Sequence, residues 1–189
     1  MGVKMEIKKI IQIVNYLLKL NNESFNYTKL IKMLYLADRA FLEKYNDTIT
    51  NDTFCSMDNG QVLSELYDLI KGKDRNMRNQ TLWDTFFETE GYDLKTLKPE
   101  YENVNELNDA EIEVIRQINE KYKNYSMSQL INLHHDLPEW EDPKGSSIVT
   151  PTEKILTELG KSQDEVNWIM QEQRLYEKEK EFLDNCCSE

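Results

Sequence analysis

The sequence predicts a mainly α fold, a compact helical domain carrying one small β-hairpin. Three observations predict it. Apolar residues recur at helical spacing in most of the chain. Helix-start signals stand in front of several of these stretches. Only one pair of short β-like runs flanks a glycine turn. The chain has 189 residues, 39% hydrophobic and 31% charged. That suffices for a single domain over residues 1–189 with its own core.

Ile7, Ile10, Ile11, Val14, Leu17 and Leu18 form one buried stripe, with Lys8, Lys9, Gln12 and Lys19 opposite. Asn21-Asn22-Glu23-Ser24 breaks the period. A second helix opens at Asn26 and runs to about Tyr45. Leu30, Ile31, Met33, Leu34, Ala37, Ala40 and Phe41 cover far more than one stripe, which makes this helix central. Lys32 and Arg39 are assigned to its narrow wet side. Asp38 falls between Ile31 and Leu34, inside the apolar arc. An unpaired carboxylate there costs several kcal/mol, so Asp38 is read as a structural group that caps or staples a neighbouring segment.

Asn46 to Asn59 reads as loop with one short strand at Thr53 to Met57. Asp58-Asn59-Gly60 is a turn, and the helix expected after it buries Val62, Leu63, Leu66, Tyr67 and Ile70 before stopping at Gly72. Ser64, Glu65 and Asp68 share its polar face. Lys73 to Gln80 is polar. Trp83 to Thr89 and Tyr92 to Leu97 form the hairpin, around Glu90-Gly91. Pro99 to Asn105 reads as a linker-like loop. Asn108 with Glu111, and Ser126 with Gln129, have the spacing of capping boxes. His134 lies on the apolar stripe of the helix that follows Ser126, where a core imidazole bonded to backbone is expected. Trp140 on the next loop is either a lid over the core or an exposed anchor. Thr150-Pro151-Thr152-Glu153 starts a further helix, which ends at Gly160. Ser162 to Glu165 opens the last helix, whose tail from about residue 178 is expected to fray.

Charge and cysteines narrow the function. A net charge of −12 argues against direct nucleic-acid binding, because phosphate backbones demand basic surfaces. It suits a basic protein partner. Cys55, Cys186 and Cys187 lack metal-ligand spacing, and the adjacent His134 and His135 are not the i, i+4 pair that one metal needs from a helix. No metal and no cofactor are therefore expected. Phosphate-cradling, metallohydrolase and serine-hydrolase motifs are missing, so an enzyme is not expected. No run of residues is long and apolar enough for a membrane helix, and the N-terminus has the lysines of a signal peptide but lacks its apolar core and cleavage site, because charges interrupt it. Cytoplasmic residence is the expectation.

Five stretches then add up to a pattern. LYLADRAFLEKY (Leu34 to Tyr45), ITND (Ile49 to Asp52), MDNGQVLSELYDLIKG (Met57 to Gly72), HDLPEW (His135 to Trp140) and SSIVTPTEKIL (Ser146 to Leu156) resemble, in this order, the Panacea domain family. Gln61 departs from the pattern, which has proline after Asn-Gly. The resemblance implies a largely helical antitoxin, common in bacteria and phages, that neutralises a cognate toxin protein. One branch of the family acts as an adaptor that delivers its toxin to a protease. Combined with the residue reading, the expected partner surface comprises Asp58, Asn59, Gly60, Ser64, Glu65, Asp68 and Trp140. An acidic phage or host factor that inhibits a nucleic-acid-binding protein is the alternative. A hydrolase built on Asp38 or the histidines is a third reading.

Overall fold

The computed structural model describes residues 5–98 and 106–186, without the side chains of residues 177, 180, 181 and 184–186. The expectation for Pro99 to Asn105 lies outside the described residues.

Helix α1 (Ile7–Lys19) buries the predicted stripe. Strand β1 (Ser24–Asn26) follows, and Asn26 caps helix α2 (Tyr27–Tyr45) by accepting from the amides of Thr28 and Lys29. Helix α2 is apolar nearly all round. Leu30, Ile31, Met33, Leu34, Tyr35 and Leu42 are among its buried side chains, each worth about 1.5–3 kcal/mol of burial. It touches β1 at one end, and β3, α3, α5, α6 and α7 along its length, so the domain forms around it.

The hairpin β2 (Phe54–Met57) and β3 (Gly60–Leu63) leads into helix α3 (Ser64–Ile70). Helix α4 (Met77–Asp84) precedes a second hairpin, β4 (Phe87–Glu90) and β5 (Asp93–Thr96). Helices α5 (Asp109–Tyr122) and α6 (Met127–His135) start with complete capping boxes at Asn108 and Ser126. Strand β6 (Ile148–Val149), helix α7 (Thr152–Glu158) and helix α8 (Gln163–Cys186) finish the chain. No helix among the described residues is long and apolar enough to cross a membrane.

The expected fold class needs correction. The described residues contain two three-stranded antiparallel sheets, not one small hairpin. One has the order β1-β5-β4 and the other β3-β2-β6. The predicted hairpin around Gly91 is present, but it begins at Phe87, because Trp83 belongs to α4 and packs its ring on Phe87 at 4.3 Å. β1 joins it, pairing Phe25 with Leu94. In the second sheet, Val62 and Leu63 lie on a strand and the helix starts only at Ser64, since Cys55 pairs with Val62 and Phe54 with Leu63. β6 completes that sheet through Cys55 and Val149.

Two further expectations change for the same reason, that buried partners compete for polar groups. Thr150, which with Pro151 at the first helical position would be the expected cap of α7, is not the cap; Pro151 occupies that position. The Thr150 hydroxyl bonds instead to Gln61 Oε1 at 3.2 Å. Lys32 is not on a wet face but is fully buried.

Candidate functional site

The motif residues, scattered along the sequence, meet around α2 and the β2–β3 hairpin. Asp38 is fully buried. Its Oδ1 accepts from the amides of Ile49 (2.7 Å) and Thr50 (3.0 Å), and its Oδ2 from the Thr50 hydroxyl. The loop after α2 is thereby fastened to the middle of the helix. Burial raises the Asp38 carboxyl to about 6, against the three donors that pull it down. Asp52 does a similar job one step further on. It accepts from the amides of Glu65 (2.8 Å) and Leu66 (2.9 Å) and so supplies the cap that Leu63 cannot give α3. Burial raises this carboxyl to about 7.

A second polar cluster joins α2 to the HDLPEW segment. The buried Glu139 accepts from Tyr35 Oη at 2.8 Å and Arg39 Nε at 2.7 Å. Its carbonyl accepts from Gln61 Nε2 at 3.4 Å, which also donates to Ser56 Oγ at 3.0 Å. Ser56 Oγ in turn accepts from the Glu141 amide at 3.2 Å. Gln61, the departure from the family pattern, is thus the centre of a buried network that includes Thr150.

The hairpin turn rests on this base. Three successive carbonyls of the turn each have a side-chain partner from another element. Trp140 Nε1 donates to Met57 O at 3.1 Å, His135 Nε2 bonds Asp58 O at 2.9 Å, and the Lys32 ammonium donates to Asn59 O. The Trp140 ring lies on His135 with centroids 4.2 Å apart. Asp58 Oδ1 accepts from the Gly145 amide at 2.9 Å, which pins the following loop to the turn. Asp58 and Asn59 themselves are exposed, and Trp140 is half-buried.

Gly60 makes the close approach possible. Its φ is +103°, and a Cβ there would stand 2.4 Å from His134 Cβ. His134 is fully buried and faces the Lys32 backbone, the type of partner expected for it, although neither ring nitrogen closes a hydrogen bond of regular geometry. Burial, and then the Lys32 ammonium, hold its pKa well below the ordinary histidine value. Burial also lowers Lys32 to about 8. A neutral imidazole beside a desolvated ammonium is a tightly packed support for the turn.

The seven residues expected to bind a partner fall into two groups. Asp58, Asn59, Gly60 and Trp140 come together at the hairpin tip. Ser64, Glu65 and Asp68 lie at the other end of β3, about 13 Å away for four extended residues. The turn therefore does not extend the α3 face. Ser64, Glu65 and Asp68 are half-buried, and Glu65 sits 3.5 Å from Thr53 Oγ1.

Sequence reasoning missed Lys32, Asp52, Ser56 and Glu139. For Lys32 a signal existed, because a helix that is apolar on nearly every side has little wet face to give a lysine. Among the described residues, no three His, Cys, Asp or Glu side chains are grouped to hold a metal ion.

Comparison with known proteins returns one family. No curated protein and no solved structure matches the chain. The model of the antitoxin SocA-like Panacea domain matches residues 30–141, from α2 through the hairpin platform to Glu141. With more than half of its length matched, the chain belongs to the antitoxin SocA-like Panacea domain family.

Proposed function

We propose that the protein is an antitoxin that neutralises a cognate toxin by direct protein–protein contact, with the hairpin tip at Asp58 and Asn59 as the centre of the contact surface. Family membership supports the antitoxin role. The observation that carries the choice of surface is the triple anchoring of the turn by Trp140, His135 and Lys32. A loop already fixed in one conformation gives up little entropy when a partner docks on it. This one also presents exposed polar groups beside a half-buried tryptophan, a residue type enriched where binding energy concentrates. The net charge of −12 favours a basic partner and fast encounter with it.

Co-expression with each gene adjacent to this one, to find a product whose toxicity the chain relieves, tests the reading. Cells should survive with the wild-type chain and die with Asn59→Arg, while Asp68→Lys with Ser64→Arg should still rescue. The purified pair should also form a complex without any third protein. Rescue that depends on a protease, with no complex between the purified partners, would replace direct neutralisation by an adaptor role.

A further inference from the structure

The family match ends at Glu141 and leaves α8 without an assigned role. The first half of this helix is ordinary. Val166 and Ile169 are buried against the domain, and Gln173 Nε2 donates to Asn46 O at 3.1 Å. The adjoining side of the same helix is exposed and largely apolar among the described residues. Trp168, Leu175 and Phe182 recur every seventh residue, with Tyr176 and Leu183 in the adjoining row. Trp168 is 57% exposed, Tyr176 64% and Phe182 68%. At about 100° per residue these rows make one stripe, the Tyr176 row continuing the line of the buried Ile169 out into solvent, running about 22 Å from Trp168 to Leu183. Its near end opens into a groove of about 290 Å³ that Tyr45, Asp47, Trp168 and Tyr176 help to line. Exposed apolar surface of this extent marks an interaction site.

The charges say what fits it. Glu172 and Glu179, both exposed, fall between the two apolar rows, inside the stripe. Arg174 and Lys178 flank one edge outside it. A second copy is a poor occupant. The antiparallel pairing that lays both rows together, with Trp168 opposite Leu183 and Leu175 opposite Tyr176, sets Glu172 against Glu179 twice. A parallel pairing sets each glutamate against its own copy. Either arrangement removes carboxylates from water without a cation. A helix whose apolar rows are interrupted by Lys or Arg satisfies both features at once.

We infer that the α8 stripe and its adjoining groove are a docking surface for a basic amphipathic helix of a partner protein. This goes beyond the neutralisation reading and does not depend on it. The occupant lies across four turns of α8, with its cations on Glu172 and Glu179 and its aliphatic side chains between Trp168, Leu175 and Phe182.

The test uses the full chain and a synthetic Leu/Lys amphipathic peptide of about 18 residues, long enough to cover the stripe. A Leu/Glu peptide of the same pattern is the control. The basic peptide should shift the tryptophan emission to the blue in a saturable way, and Trp168→Phe should remove that signal. Leu175→Ser with Phe182→Ser should abolish binding without changing the melt, since both positions are exposed. Glu172→Gln with Glu179→Gln should weaken it about tenfold. Three results would overturn the inference. One is binding that survives the Leu175→Ser/Phe182→Ser change. Another is no saturable shift up to about 100 µM peptide. The last is a dimer in sedimentation that Leu175→Ser dissolves, which would give the stripe to a second copy.

Discussion

Two buried carboxylates show how single residues set the site. Asp38 holds the loop after α2 through three donors. Replacing it by alanine orphans those donors in a dry environment, and a chemical melt should show a loss of about 1–3 kcal/mol. Asp52, with Asp38 acting in the same direction, carries a pH dependence. Its folded carboxyl is raised to about 7 by burial, against roughly 3.9 unfolded. Its contribution is therefore fully present below about pH 4 and is lost as pH rises towards 7. His134, held neutral when folded, works the other way below about pH 6.5. Comparing melts of wild type and Asp52→Asn separates the two, because His134 is common to both. The wild type should gain on the variant as pH falls from 7.5 to 5, by at most about 1.4 kcal/mol per unit. A constant difference across that range would mean that Asp52 stays ionised in the fold. Gly60 is the third such residue. Its positive φ and the 2.4 Å approach to His134 Cβ leave no room for a methyl group. Gly60→Ala should cost about 2–4 kcal/mol from overpacking and backbone strain together.

At the scale of elements, the hairpin explains how Gln61 can stand where the family pattern has proline. Ser64 N donates to Thr53 O at 2.9 Å, so Thr53 and Ser64 form a hydrogen-bonded pair. Alternation along the antiparallel ladder then makes Cys55–Val62 a bonded pair and Ser56–Gln61 a non-bonded one. The Gln61 amide therefore faces away from β2, and β3 is an edge of its sheet, where proline is tolerated. Gln61→Pro should keep the ladder and lose only the side-chain bonds to Ser56, Thr150 and the Glu139 carbonyl. Val62→Pro should melt well below it, and equal melting points would refute this register. The helices were legible because a 3.6-residue period over ten or more residues is a strong signal, and Asn108 and Ser126 carry their caps in local sequence. Strands of two to four residues have no such period. β1 and β6 exist only because β5 and β2 lie beside them, and those partners are far along the chain. The same limit applied to the site. Asp38 and the Asp58-Asn59-Gly60 turn were visible as local anomalies. Glu139, Lys32 and Asp52 looked like ordinary surface charges until tertiary contacts buried them.

Across the whole molecule, five motifs that are separated in sequence serve one construction. Helix α2 provides Lys32, Tyr35, Asp38 and Arg39. The ITND loop is stapled to it, and HDLPEW packs over it through Glu139 and Trp140. The product is an exposed turn on a rigid base, in a chain of strongly negative overall charge. The central claim is that this turn is the part of the antitoxin that its toxin grips. Calorimetric titration of the purified cognate toxin, identified as a protein whose toxicity this chain relieves, against wild type and Asn59→Arg tests it most directly. Asn59 is exposed, so the variant should melt within about 0.5 kcal/mol of wild type. The account requires its affinity to fall at least about tenfold, a change of 1.4 kcal/mol or more. A folded Asn59→Arg that binds the toxin as tightly as wild type would contradict it.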